Sequence, residues 1–141
     1  MKFREMIKNS CVVRDFYKEH PPEYNSEFAG RVDGAIYFGV LKNGELIAVT
    51  SYVPLNSNVA NMQSTVVHPK HRGKGVGTWL NHRMEIQLIK EGFSKVTSNV
   101  YIENIPSIVL KLKLDYVIEG LLRDHDSIGQ HEYVLGKILG E

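Results

Sequence analysis

A glycine-rich turn set between an apolar run and a helix-like run constrains this chain more than any other feature. Arg72-Gly73-Lys74-Gly75-Val76-Gly77 follows the strand-like segment Met62 to Val67 and the loop His68-Pro69-Lys70-His71, and opens a helix-like segment from Thr78 to Lys90. A strand that turns tightly into a helix belongs to a sheet with helices packed on it. The first N–H groups of a helix have no partner within it, and the helix dipole favours negative charge there. Glycines admit positive φ and let a bound group approach the backbone closely. Arg72 and Lys74 add positive charge. The segment therefore predicts a seat for phosphate or pyrophosphate.

Spacing excludes two common phosphate loops. A Walker loop needs Ser or Thr directly after its Gly-Lys, and here Gly75 follows Lys74. A dinucleotide fingerprint needs a third glycine at position 78 or 80, which hold Thr78 and Leu80. What remains is Arg72-x-x-Gly75-x-Gly77. On these six residues alone, a basic surface turn reads equally well.

The 141 residues predict a single domain, 1–141, that buries roughly two-thirds of the surface of its unfolded chain. A formal net charge of +1 gives no support to a nucleic-acid binder that neutralises many phosphates. One cysteine, Cys11, excludes an intrachain disulfide and suits a reduced, cytoplasmic setting. Its apolar neighbours predict a small core residue rather than a nucleophile. No apolar run reaches the length of a membrane span, and Met1 to Glu5 lacks a signal-peptide core.

Periodicity and turn chemistry predict the elements. Lys2 to Ile7 reads as a strand. Ser10 to Glu19 reads as a helix capped by Ser10, with Val12, Val13, Phe16 and Tyr17 inward, stopped by His20-Pro21-Pro22. Glu23 to Gly34 reads as a loop or short helix. Ala35 to Leu41 and Glu45 to Val53 form a hairpin through Asn43-Gly44. Val59 to Val67 is a strand. The helix after the glycine loop turns Val76, Leu80 and Met84 inward, flanked by Trp79, Ile86 and Ile89, and Gly92 ends it. Lys95 to Ile102 is a strand, Asn104 caps a helix through Leu114, and Val117 to Leu122 and Tyr133 to Leu139 close the sheet. The fold class is α/β (α+β), a mixed sheet with helices on both faces.

Several motifs stand in a fixed order. Val67-His68-Pro69 precedes the glycine loop. Glu103-Asn104-Ile105-Pro106-Ser107-Ile108 opens the second long helix, and Lys113-Leu114-Asp115-Tyr116 ends it. Glu119-Gly120-Leu121-Leu122-Arg123 and a last strand after Gly129 follow. Together these resemble the GNAT superfamily of N-acetyltransferases, whose coenzyme A pyrophosphate loop reads Arg or Gln, x, x, Gly, x, Gly or Ala. The tail is similar to the branch that acetylates ribosomal-protein N-termini. The resemblance covers residues 60 to 139 well and the first sixty in outline, and Asp115 stands where the family usually has glycine.

That resemblance implies a mostly antiparallel sheet in which two central parallel strands splay apart. It implies acetyl-CoA as co-substrate, with its pyrophosphate on Arg72, Gly73, Lys74, Gly75, Val76, Gly77 and Thr78. Backbone at Val66, Val67 and His68 would meet the acetyl carbonyl and pantetheine, and Asn104, Ser107 and Lys111 would complete the contacts. It also exposes departures. The family's acid, a Tyr seven residues after the helix-opening Asn, is replaced by Lys111, which reads first as a solvated lysine free to swing outward and only second as an acid or a phosphate contact. A Glu used by some members five residues before the same Asn is replaced by Asn99.

Tyr101 alternates in phase with Asn99 and is expected to face the cleft. It is expected to outweigh Lys111 as the acid. His131 and Glu132 are candidates for binding or deprotonating an amine, a task that an imidazole with a pKa of about 6.5 suits. Glu23, Glu27 and Asp33 offer an acidic lip. His68-x-x-His71 with His82 or His125 is the best histidine cluster, but no metal is expected. The acceptor implied is a primary amine, a protein or peptide N-terminus first and a small amine next, acetylated directly in a ternary complex. The alternatives are a GNAT-fold acyl-CoA-binding or regulatory protein without catalysis, and an acetyltransferase acting on charged transfer RNA. The assembly stays open between monomer and homodimer, with no membrane partner.

Overall fold

The computed structural model describes residues 1–6, 11–20 and 34–140, apart from the side chain of Ser64. The predicted Ser10 cap, residue Ile7, the loop at 23–33 and the acidic lip of Glu23, Glu27 and Asp33 lie outside these residues. The elements run β1 (Lys2–Met6), α1 (Cys11–Glu19), β2 (Ile36–Lys42), β3 (Glu45–Pro54), β4 (Val59–Val67), α2 (Val76–Lys90), β5 (Lys95–Tyr101), α3 (Ile105–Lys113), β6 (Val117–Leu122) and β7 (Glu132–Ile138). A short 3₁₀ turn, Pro69–His71, precedes the glycine loop.

The strands form one sheet in the order β1-β2-β3-β4-β5-β7-β6. Asn43 and Gly44 both take positive φ, 52° and 81°, which matches the right-handed twist of the β2–β3 hairpin they close. Among the described residues only β4 and β5 pair in parallel, because α2 carries the chain back over the sheet between them. Helix α1 covers one face through Val13, Phe16 and Tyr17, packed with Tyr37, Val49 and Val66. Helices α2 and α3 cover the other, where Met84, Leu88, Ile108 and Leu114 meet Met62, Val96, Val100 and Leu135.

Two features of β4 open the sheet. Against β3, Ser51 pairs with Gln63 and Val49 with Val66, so β4 carries one residue more than its partner. This bulge is held by the Thr50 and Ser51 hydroxyls, which donate to the Gln63 carbonyl at 3.5 and 3.1 Å. A bulge bends its strand and sharpens its twist. Against β5, pairing runs from Val59–Lys95 to Met62–Ser98 and stops, although β4 continues to Val67 and β5 to Tyr101. Beyond that rung the two strands diverge.

Four expectations are corrected. Val12 points outward, because the short α1 buries only the stripe at Val13, Phe16 and Tyr17. Ile86 and Ile89 are exposed, because the α2 stripe continues from Met84 to Leu88 and takes in Asn81 and Glu85 instead. Cys11 is exposed at the start of α1 rather than in the core. Lys111, read as a solvated lysine, is buried.

Candidate functional site

The divergence of β4 from β5 leaves a cleft of about 720 Å³ between them, roofed by the N-terminal ends of α2 and α3. Its α2 end is the glycine loop. Gly75 is the residue before the helix, with φ 83° and ψ 6°, and no side chain caps the first turn. The opening N–H groups of α2 are therefore left for a ligand. Gly73 also takes positive φ, and a Cβ at either glycine would meet nothing within 4 Å, so the space above the loop is open. A Cβ at Gly77 would lie 3.7 Å from Leu110, where α3 closes on α2. The Arg72 Nε donates to the Val67 carbonyl at 2.9 Å, tying the loop to the end of β4.

Of the residues expected at the cofactor, Val66, Val67, Arg72, Gly73, Gly75, Val76, Gly77, Thr78, Asn104, Ser107 and Lys111 line this cleft. Lys74 is exposed outside it. His68 is also outside the lining: its Nδ1 accepts from the Lys70 N–H at 3.1 Å, and its ring packs on His20 and His71. Asn104 caps α3 by accepting from the Ser107 N–H at 3.3 Å.

Lys111 lies on the face of the sheet covered by α2 and α3, 6% exposed. Its ammonium donates to Asn81 Oδ1 at 2.6 Å, sits 3.9 Å from the Met62 sulfur and lies over the Tyr116 ring at 4.7 Å. The Asn81 amide donates in turn to Glu85 Oε2 at 2.5 Å and to the Tyr116 hydroxyl at 3.2 Å. Lys137 holds the other Glu85 oxygen at 2.8 Å. Glu85 thus has its own counter-ion, and Lys111 reaches it only through an amide. Burial pulls the Lys111 pKa down to about 8; Glu85 opposes this and Lys137 adds to it.

The opposite face carries a second polar chain. Gln63 donates to Asn61 at 3.0 Å, Asn61 to Thr97 at 2.9 Å and Asn99 at 3.2 Å, and Asn99 to Glu132 Oε1 at 2.8 Å. Every amide in the run from Gln63 through Asn99 points its donor toward the Glu132 carboxylate, and such chains polarise one another. Burial raises the Glu132 pKa; the Asn99 bond opposes that, and the nearby Asp126 carboxylate adds to it. Tyr101 lines the cleft and its hydroxyl donates to Asp126 at 2.7 Å. His131 does not line it: its Nδ1 accepts from the Asp124 N–H at 3.2 Å, fixing the β6–β7 turn.

The cleft thus has a cation on one face of the splayed sheet and a carboxylate on the other. Asn81 and Glu85 left a signal in the sequence, a polar pair four residues apart within an otherwise apolar stripe. Asn61 and Gln63 left the weaker signal of polar alternation along β4. Asp126 left none, because a turn residue reads as a solvated charge until its fold is known. Among the described residues no helix is long and apolar enough to cross a membrane.

The family model described as "Acetyltransferase (GNAT) family" matches residues 7–116. Among solved structures, a GNAT family acetyltransferase from Elizabethkingia anophelis with acetyl-CoA bound is similar at TM-score 0.83 and 12% identity, covering 98% of this chain and 97% of that one. The ribosomal-protein-S18-alanine N-acetyltransferase of Escherichia coli matches at TM-score 0.78 and 17% identity, covering 99% and 94%. The aminoglycoside 6'-N-acetyltransferase of Enterococcus faecium matches at 0.74 and 15%, covering 100% and 98%. A glycine loop opening α2, a splayed parallel pair and a family match over residues 7–116 lead to one conclusion: the chain belongs to the acetyltransferase (GNAT) family, whose co-substrate is acetyl-CoA.

Proposed function

We propose that this acetyltransferase moves the acetyl group of acetyl-CoA to the nitrogen of a primary amine by direct attack in a ternary complex. One observation carries the reading: Lys111 and Glu132 line one cleft from opposite faces of the splayed sheet. The pyrophosphate lies on the opening turn of α2, where unpartnered N–H groups and the helix dipole favour it. Pantetheine runs along the edge of β4 that β5 has left, pairing with it as an added strand would. Cys11 is exposed on α1 and outside the cleft lining, which favours direct transfer over an acyl-enzyme.

The chemistry divides between the two faces. An ammonium has no lone pair, so it gives a proton to Glu132 as it docks. The free nitrogen attacks the thioester carbonyl carbon, and a backbone N–H near Val66 or Val67 receives the charge developing on oxygen. The C–S bond breaks as the tetrahedral carbon collapses, the departing thiolate takes a proton from Lys111, and the second proton of the acceptor nitrogen passes to the Lys111 amine as the amide forms, so Lys111 regains its charge. Lys111 suits that task better than Tyr101, because its cation lacks a direct counter-ion and faces the sulfur side, while the Tyr101 hydroxyl is bonded to Asp126.

The acceptor we infer is a protein or peptide N-terminus, with a small polyamine or amino sugar next. Similar folds whose names specify a ribosomal-protein alanine and an aminoglycoside support both classes. Release of coenzyme A thiol from acetyl-CoA, followed against peptides with free N-termini, polyamines and aminoglycosides, tests the reading. Release that requires an amine is expected. Coenzyme A binding with no release on any amine would overturn it in favour of a binding protein.

A further inference from the structure

We propose that Glu132, Asp126 and His125 form a seat for a divalent transition-metal cation at the β7 end of the cleft. One ligand-type atom from each of the three lies within 4.8 Å of the other two. Glu132 is only 3% exposed. Its Oε1 is held by the Asn99 amide at 2.8 Å, while its Oε2 is buried without any hydrogen-bond partner. A buried carboxylate oxygen left unbonded is costly, and a cation satisfies it.

The surroundings are arranged as the second shell of a metal site is. Each carboxylate has its own orienting donor, Asn99 on Glu132 and the Tyr101 hydroxyl on Asp126 Oδ2, the latter leaving Asp126 Oδ1 for a ligand. The turn that carries His125 and Asp126 is tied at both ends: the Gly129 N–H donates to Asp124 Oδ1 at 2.6 Å and the Asp124 N–H to His131 Nδ1 at 3.2 Å. One imidazole and two carboxylates suit Zn²⁺ or a similar ion better than Mg²⁺ or Ca²⁺. Bonds of about 2.0–2.2 Å draw the three ligand atoms closer than they now lie. His125 and Asp126 are exposed side chains on a turn, so they have room to close on Glu132.

A consequence follows for transfer. Glu132 Oε2 cannot hold a metal and receive an ammonium together. The cation therefore excludes the acceptor amine and leaves acetyl-CoA, on the other face, unaffected.

The test is calorimetry of the chelator-treated full chain with Zn²⁺, and separately with Mg²⁺, in the absence of acetyl-CoA and amine. That readout holds whether or not the chain acetylates amines. A single Zn²⁺ site is expected, with Mg²⁺ far weaker. His125→Ala and Glu132→Gln should each weaken it by more than tenfold, and Tyr101→Phe by roughly tenfold. His68→Ala, in the separate group of His20, His68 and His71, should leave it unchanged. Absence of Zn²⁺ binding, or a site that follows His68→Ala and ignores His125→Ala, overturns the proposal. His125 is exposed, so its variant decides the matter even where Glu132→Gln does not fold.

Discussion

Lys111 keeps its amine where charge is costly, and that sets how the chain responds to pH. Burial holds its pKa near about 8, so the proton needed by the departing thiolate is lost as pH rises through that value. Turnover at saturating acetyl-CoA should fall on the alkaline side accordingly. Glu85→Gln removes the anion that helps Lys111 keep its proton, so the alkaline limb should move to lower pH; an unmoved limb would place the acid elsewhere. Glu132 acts in the opposite sense. It must be charged to accept a proton, and its raised pKa brings the acid limb above the usual carboxylate range. Lys111→Ala should lower kcat roughly a hundredfold and Tyr101→Phe much less, the reverse of the expectation from sequence. The family resemblance picked out positions 111 and 132, but their environments come from Asn81, Glu85 and Lys137 on one side and Asn61, Asn99 and Asp126 on the other. No local pattern of residues encodes contacts between elements so far apart in the chain.

At the scale of the element, local chemistry was legible wherever the physics is local. Asn43-Gly44, Asn104 and Gly92 act within a few residues of themselves, and the structure places each in the role expected of it. Stripe assignment was less legible, because Ile86 and Ile89 look like core residues until α2 is packed against β7 and its partners are chosen. Asp115 follows the last turn of α3 at φ 70°, a conformation that favours glycine. Asp115→Gly should therefore stabilise the fold by up to about 1 kcal/mol, read from the urea midpoint at constant slope. Asn104→Ala should cost about 1 kcal/mol as a lost helix cap. Asn104→Asp keeps that cap, so a drop in coenzyme A affinity in this variant would reveal a contact with the cofactor itself.

Across the whole molecule, the sheet is interrupted where the co-substrate binds, so ligand and fold should be linked. Coenzyme A at about a hundred times its Kd should raise stability by about 2.7 kcal/mol. The corresponding rise in Tm is measurable by calorimetry, and Gly75→Glu should abolish the rise whatever it does to the Tm of the free protein. The splayed parallel pair was legible through the family resemblance, while the bulge that produces the splay was not, since Gln63 to Val66 reads as ordinary strand. That bulge works as a shift of reading frame within β4. Before it, Met62 faces the α2 and α3 side; after it, Val66 faces α1, although four residues apart on a regular strand they would share a face. A chain one residue shorter between Gln63 and Val66 would return β4 to a single frame. Val66 and Val67 would keep their present faces without the extra residue, and the strand would have no reason to leave β5. Chain length at this one point, more than the identity of any side chain there, decides whether this sheet contains a binding cleft.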